Sequence, residues 1–231
     1  LPDYPNGDII SIEHLLTHTS GIFNYTDDRI FMETQAKQPI NREIMLKLFQ
    51  DKPLNFTPGT NFEYSNSNYL VLGYIIEKVT GKSYEKVANE FIFKPLKMNS
   101  TGFNFKKLSE INKAIGYEVY SKEGSKISEE FDPAVSYAAG GMHTTTRDLN
   151  KWLIAINSGK VVSKQSYEKA ITPFKNNYGY GNYIIKNQNK TIIAHGGLTF
   201  GYTSYMAHIL EDDVNIIILN NIVNFSINDI A

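Results

Sequence analysis

Apolar positions along the chain follow two different rhythms. Through much of the first two thirds, residues 100–137 apart, they recur every three or four residues, the spacing of helices with one buried face. In the last third they crowd into short runs rich in Ile, Tyr and Val, the pattern of strands. Ser11 is placed to cap a short helix through Ile12, Leu15 and Leu16, and Thr19-Ser20-Gly21 ends it. Asn41 starts a second helix carrying Ile44, Leu46, Leu48 and Phe49. The strongest helical pattern is Tyr69, Leu70, Leu72, Gly73, Ile75, Ile76 and Val79, with Gly81 as its natural terminator. Ser83 caps a further helix, stopped near Pro95. Residues 100–137 show no sustained period and read as irregular, and Ala138-Ala139-Gly140-Gly141 reads as a tight turn. Thr145 or Thr146 then caps a helix with Leu149, Trp152, Leu153 and Ile156, ended by Gly159, and another covers about 163–171. Strands are expected at 180–185, 190–195, 202–210 and 215–219, joined by polar turns into an antiparallel meander. Helices followed by strands imply an α+β fold: a mostly helical and loop region over about 1–172, then a sheet over about 173–231 with the start of a C-terminal helix.

Composition narrows the function classes. The 231 residues carry 23 Lys plus Arg against 24 Asp plus Glu, so the basic surplus of a nucleic-acid binder is missing. No cysteine is present, which excludes disulfides, thiolate zinc sites and a Cys nucleophile. The longest aliphatic run, Ile216 to Leu219, is far too short for a membrane span. Leu1-Pro2-Asp3-Tyr4-Pro5 begins without an initiator Met, and Ile227 to Ala231 reads as a helix just begun, so a fragment of a longer chain is expected.

Several residue groups have chemical potential. Tyr64 and Asn66 stand two apart just before the strongest helix. A tyrosine acts as a base only beside a cation that stabilises its phenolate, and an Asn amide offers one acceptor and two donors. Packing of Tyr64 and capping by Asn66 is the plainer reading. His195-Gly196-Gly197, at the end of an expected strand, brings together an imidazole and backbone that a ligand can approach closely. An incidental His in a turn is the alternative. His14 and His18 share a helix face at metal-binding spacing, but Leu15 replaces the Glu of a zinc-protease motif and no third ligand is evident, so no metal and no cofactor is expected. Ser83-Tyr-Glu-Lys86 and Ser166-Tyr-Glu-Lys169 match the Ser/Lys nucleophile spacing. Their polar flanks suit exposed helices instead. Five Asn-x-Ser/Thr sequons, Asn24 among them, are little more than chance in so Asn-rich a chain.

Taken together, these pieces resemble the serine β-lactamase and penicillin-binding-protein superfamily, in the branch of class C β-lactamases, D-Ala-D-Ala carboxypeptidases and related esterases. The resemblance rests on Ile12-Glu-His-Leu-Leu-Thr-His-Thr-Ser-Gly21, then Pro58-Gly59-Thr60 and Tyr64-Ser65-Asn66. It continues through Ala139-Gly140-Gly141-Met142, Thr146-Arg147-Asp148-Leu149, Tyr178-Gly-Tyr-Gly181 and His195-Gly196-Gly197, all in family order. It implies an acyl-enzyme mechanism with Tyr64 as general acid/base and Asn66 holding the substrate's acylamido group. It puts His195 in the place of the third-motif Lys, makes Gly197 the residue that keeps the strand open to substrate, and makes the Leu198 N–H one oxyanion donor. The family's S-x-x-K segment precedes the one at which this chain starts. The resemblance therefore implies that the nucleophile and the N-terminal strands are absent and that the fragment alone is inactive. It further implies a β-lactam, D-amino-acid peptide or ester as substrate, an extracytoplasmic bacterial setting, and a homodimer where missing elements expose apolar surface. A non-catalytic binding or sensor module with the same fold is the alternative.

Overall fold

A computed structural model describes residue 4, residues 7–103 and residues 105–223. The expected C-terminal helix start lies outside the described residues. Ser11 opens α1 (Ile12–Leu16) with a capping box: its side chain accepts from the His14 N–H while His14 Nδ1 accepts from the Ser11 N–H. Asn41 accepts from the Ile44 N–H to cap α2 (Arg42–Lys47). The long apolar period becomes α3 (Asn66–Thr80), which ends on Gly81 in the left-handed region at φ 66°. Ser83 caps α4 (Tyr84–Ala88), and Thr145 caps α6 (Thr146–Asn157) by accepting from the Asp148 N–H. The helical core gathers Leu15, Tyr25, Phe31, Met45, Phe49, Leu70, Val71, Tyr74 and Val135 around α3.

Two expectations need correction. Residues 100–137 are not irregular throughout. They contain a hairpin, β1 (Tyr117–Ser121) with β2 (Gly124–Ile127), and the start of α5 (Pro133–Gly140), capped by Asp132. The hairpin is hidden from pattern reading because β2 is exposed along its whole length and so shows no alternation. Ala138 to Gly140 continue α5 rather than turn. The break falls at Tyr137, held at φ 32° and ψ −119°, where its ring stacks on Tyr74 with centroids 5.1 Å apart.

After α7 (Lys164–Ala170) comes the main sheet of β3 (Tyr183–Asn187), β4 (Lys190–Thr199), β5 (Tyr202–Ile209) and β6 (Val214–Asn220), antiparallel and in sequence order. Helix α6 lies against β6, where the Asn215 amide donates to Asn150 Oδ1. β4 runs four residues past the expected end, through Thr199, because β5 pairs with it all the way to Thr199↔Tyr202. β3 pairs with it only as far as Tyr183↔Ala194. Residues 195–199 therefore have a partner on one edge and, among the described residues, no strand on the other.

Candidate active site

The site begins with a buried polar clasp. Thr17, His18, Thr19 and Ser20 are all 0% exposed, an unusual run of polar side chains for a protein interior. Each is bonded. Thr17 Oγ1 donates to Glu13 O and shares a hydrogen bond with Thr19 Oγ1. Ser20 Oγ donates to Asn68 Oδ1. His18 Nδ1 accepts from the Ser65 N–H at 3.1 Å and from the Asn68 amide at 3.3 Å. The backbone N–H groups of Asn55, Gly59 and Glu63 donate to the carbonyls of Gly21, Thr19 and His18. The clasp thus ties the end of α1 to the loop before α3, and Tyr64 is carried between two of its anchor points, Glu63 and Ser65. The sequence offers His18 as half of a metal pair and as part of the Ile12–Gly21 segment, and neither assigns it this contact. The structure gives His14 Nδ1 to the helix cap and His18 Nδ1 to the clasp.

Around Tyr64 the clasp and the sheet meet. The Tyr64 ring lies 4.1 Å from the His18 ring, centroid to centroid, and 6.1 Å from the His195 ring on β4. Tyr178 fills the space beneath, 1% exposed, with its ring 4.9 Å from His18 and its hydroxyl 3.1 Å from His195 Nε2. His195 Nδ1 reaches Gly196 O at 2.6 Å. The sequence motifs containing Tyr64 and His195 therefore converge, as does the Tyr178 motif, whose side chain pattern reading did not single out. Its local signal is Asn176-Asn177. Both residues have positive φ and form the two-residue turn of a small hairpin that returns Tyr178 toward Tyr183.

Asn66 is the first residue of α3 rather than its cap. The cap function falls to Asn24, whose Oδ1 accepts from the Asn66 N–H at 3.0 Å. The Asn66 amide nitrogen donates to Asn24 Oδ1 and Thr26 Oγ1. Its oxygen accepts from none of the described residues.

The free edge of β4 has a definite polarity. Leu210 N–H donates to Thr191 O, so residues in step with 191 direct their backbone groups to β5. Through the unbroken register, alternation turns the N–H groups of Gly196 and Leu198 to the open edge. The Leu198 side chain is 76% exposed. Gly197 stands opposite Ser204, and a Cβ added to it would meet Ser204 Oγ at 2.4 Å. Its small size accommodates that hydroxyl.

Burial governs the electrostatics. It pushes the Tyr64 phenol above its ordinary range, with Tyr183 adding to the effect, so the hydroxyl is protonated at neutral pH. Burial likewise lowers His195. His18 falls from 6.5 to about 3, chiefly through burial, with the neighbouring His195 contributing. Because the folded protein favours the neutral His18 ring, the unfolded chain binds the extra proton once pH drops below 6.5. Stability is therefore expected to fall with pH between 6.5 and 3, by up to about 1.4 kcal/mol per unit from this group. Urea unfolding at pH 7 and pH 5 checks this. The loss should be smaller in His18→Gln, and an equal loss in both proteins would refute it.

Neither Ser-x-x-Lys match belongs to this cluster. Ser83 Oγ accepts from the Lys86 N–H as the cap of α4. Ser166 receives a hydrogen bond from the α7 cap Ser163, and Lys169 pairs with Glu13 at 3.1 Å.

A family model described as Beta-lactamase matches residues 1–226. The putative penicillin-binding protein PbpX of Bacillus subtilis is 36% identical over 187 residues, covering 80% of this chain and 45% of that relative. The octameric penicillin-binding protein homologue from Pyrococcus abyssi has a similar structure, with a TM-score of 0.82 at 30% identity over 99% of this chain and 55% of that one. A D-stereospecific amidohydrolase from Streptomyces sp. gives 0.82 at 25% identity over 95% and 70%. The chain spans about half the length of the curated relatives it matches.

Proposed function

The chain belongs to the beta-lactamase family, and on that premise we propose that it supplies the second and third motifs of a serine acyl hydrolase. One observation carries the reading: Tyr64, two residues before Asn66, and His195 of His-Gly-Gly, far apart in sequence, meet beside a strand edge whose Leu198 N–H has no strand partner among the described residues. An extended acyl donor lies along that edge. Its carbonyl oxygen accepts from the Leu198 N–H, which stabilises negative charge as the tetrahedral intermediate forms. Asn66 orients the acylamido group. Its amide nitrogen is fixed by Asn24 and Thr26, so its oxygen is presented to a substrate N–H.

Tyr64 holds its proton in the surroundings this chain provides. It serves as the acid that protonates the leaving group. It becomes a base only when a cation, such as the lysine of a Ser-x-x-Lys pair, comes beside it. Both matches in this chain are engaged in helix caps or surface pairs, so we place the nucleophile on residues outside these 231 and expect the chain alone not to acylate. On the family resemblance we propose a substrate among β-lactams, D-amino-acid peptides and esters, and a setting outside the cytoplasmic membrane. The solved D-stereospecific amidohydrolase of the same fold supports the D-configured part of that range.

Turnover by the natural-length protein of a penicillin, a D-alanyl peptide and a simple aryl ester tests the reading, and inertness toward all three would favour a binding module. Asn66→Ala should raise KM about tenfold for donors with an acylamido group, the worth of one hydrogen bond to a buried partner, and leave the aryl ester unchanged. Equal losses on both would contradict the role given to Asn66.

A further inference from the structure

The contacts of His195 go beyond this reading and, for their catalytic meaning, rest on it. Gly196 O can only accept a hydrogen bond, so at 2.6 Å His195 Nδ1 must carry the proton. A neutral imidazole has one proton. Nε2 is then the acceptor, and the Tyr178 hydroxyl 3.1 Å away is placed to donate to it in competition with the Tyr69 oxygen, whose own proton goes to Leu16 O. Tyr178 is well placed for this. It is 1% exposed, locked against Tyr183 at a ring separation of 4.7 Å, and returned to the sheet by the hairpin at Asn176-Asn177.

The titratable groups that face His195 are His18 behind it, Tyr64 before α3, Tyr178 in the hairpin and Tyr183 on β3, while Met206 stands opposite on β5. The tyrosines are held protonated and His18 neutral, so none of them brings an anion that would draw a proton onto His195.

We propose that Tyr178 is a positioning residue that fixes His195 as the neutral Nδ1–H tautomer, so that the His195 side chain offers this corner of the site neither a charge nor a free N–H. A substrate carboxylate there would lose water and gain no counter-charge from the described residues around His195. The described residues therefore favour acyl donors that end at this corner in an amide or ester over the same donors ending in a free carboxylate, a preference in rate and not an exclusion.

The test uses the natural-length protein labelled with 15N-histidine, His195 being assigned by the resonance lost in His195→Asn. The wild type should show the Nδ1–H tautomer at pH 7.5. In Tyr178→Phe, which keeps the ring and loses only the donor, the His195 midpoint should rise by about one pH unit. Tyr183→Phe, which removes a ring neighbour's hydroxyl with no bond to His195, should leave it unmoved. An Nε2–H tautomer in the wild type overturns the proposal even if Tyr178→Phe fails to fold, and so does an unshifted midpoint in a folded variant.

In parallel, kcat/KM is compared for one peptide with a C-terminal amide and with a free carboxylate. The amide should lead by tenfold or more at pH 7.5, and its lead should shrink as pH falls through the His195 midpoint. A lead for the carboxylate overturns the substrate class. The tautomer is read without turnover, so failure of the hydrolase reading shows separately, as inertness toward both peptides with the Nδ1–H tautomer intact.

Discussion

Tyr64→Phe should slow acylation of the natural-length protein by about 10²–10⁴-fold, the range that a positioned proton-transfer group contributes. The substitution removes one oxygen. The ring that lies 4.1 Å from His18 and 6.1 Å from His195 remains, so the packing that orders the site is kept. Tyr64 has no structural hydrogen bond among the described residues, and stability should change by less than about 1 kcal/mol. Loss of rate without loss of stability separates a chemical role from a packing role. Single-turnover acylation measured beside thermal unfolding makes the distinction. A rate within about threefold of wild type would remove Tyr64 from the mechanism.

The largest stability effect is expected at Gly21→Ala. Gly21 has φ +76°, a conformation that costs an L-residue about 1–2 kcal/mol. An added Cβ would stand 2.3 Å from Phe56 O and 3.2 Å from Phe56 N, both backbone atoms that no side-chain rotation can move aside. Forced overpacking of this kind adds about 1–3 kcal/mol. The sum, about 2–5 kcal/mol, corresponds to a fall in Tm of several degrees or more in a domain of this size. The clasp that Gly21 closes also anchors Glu63 and Ser65 on either side of Tyr64, so the rate of any acylation should fall with it. Urea unfolding checks the stability change. A loss below about 0.5 kcal/mol would mean that the loop around Phe56 yields freely.

Much of the architecture is legible in the sequence because local rules and the fold agree. Ser11, Asn41, Ser83 and Thr145 cap the helices their patterns announce, and Gly81 ends α3 in the left-handed region. The four strands fall where Ile, Tyr and Val cluster. What stays hidden has physical causes. The β1–β2 hairpin is exposed and so lacks alternation. Gly196 and Gly197 read as the end of a strand, yet β5 holds them in register through backbone bonds, which carry no side-chain signature.

The same division runs through the site. Tyr64, Asn66 and His195 can be picked out by residue type and by family resemblance. The roles of their partners cannot. Asn24 caps α3 from a loop distant in sequence, His18 serves as a buried acceptor, and Tyr178 acts through a hydrogen bond to a residue on another element. Residue type states what a side chain is able to do, and the packing of distant segments decides which of those capacities is used.

The most direct measurement of the central claim is the intact mass of the natural-length protein after incubation with a penicillin, beside Tyr64→Phe and the 231-residue chain. The account predicts one added penicilloyl mass on the natural-length protein, slower accumulation in Tyr64→Phe, and none on the 231-residue chain. An adduct on the 231-residue chain, mapped to Ser83 or Ser166, would contradict it, and so would an unmodified natural-length protein that also leaves the D-alanyl peptide and the aryl ester intact.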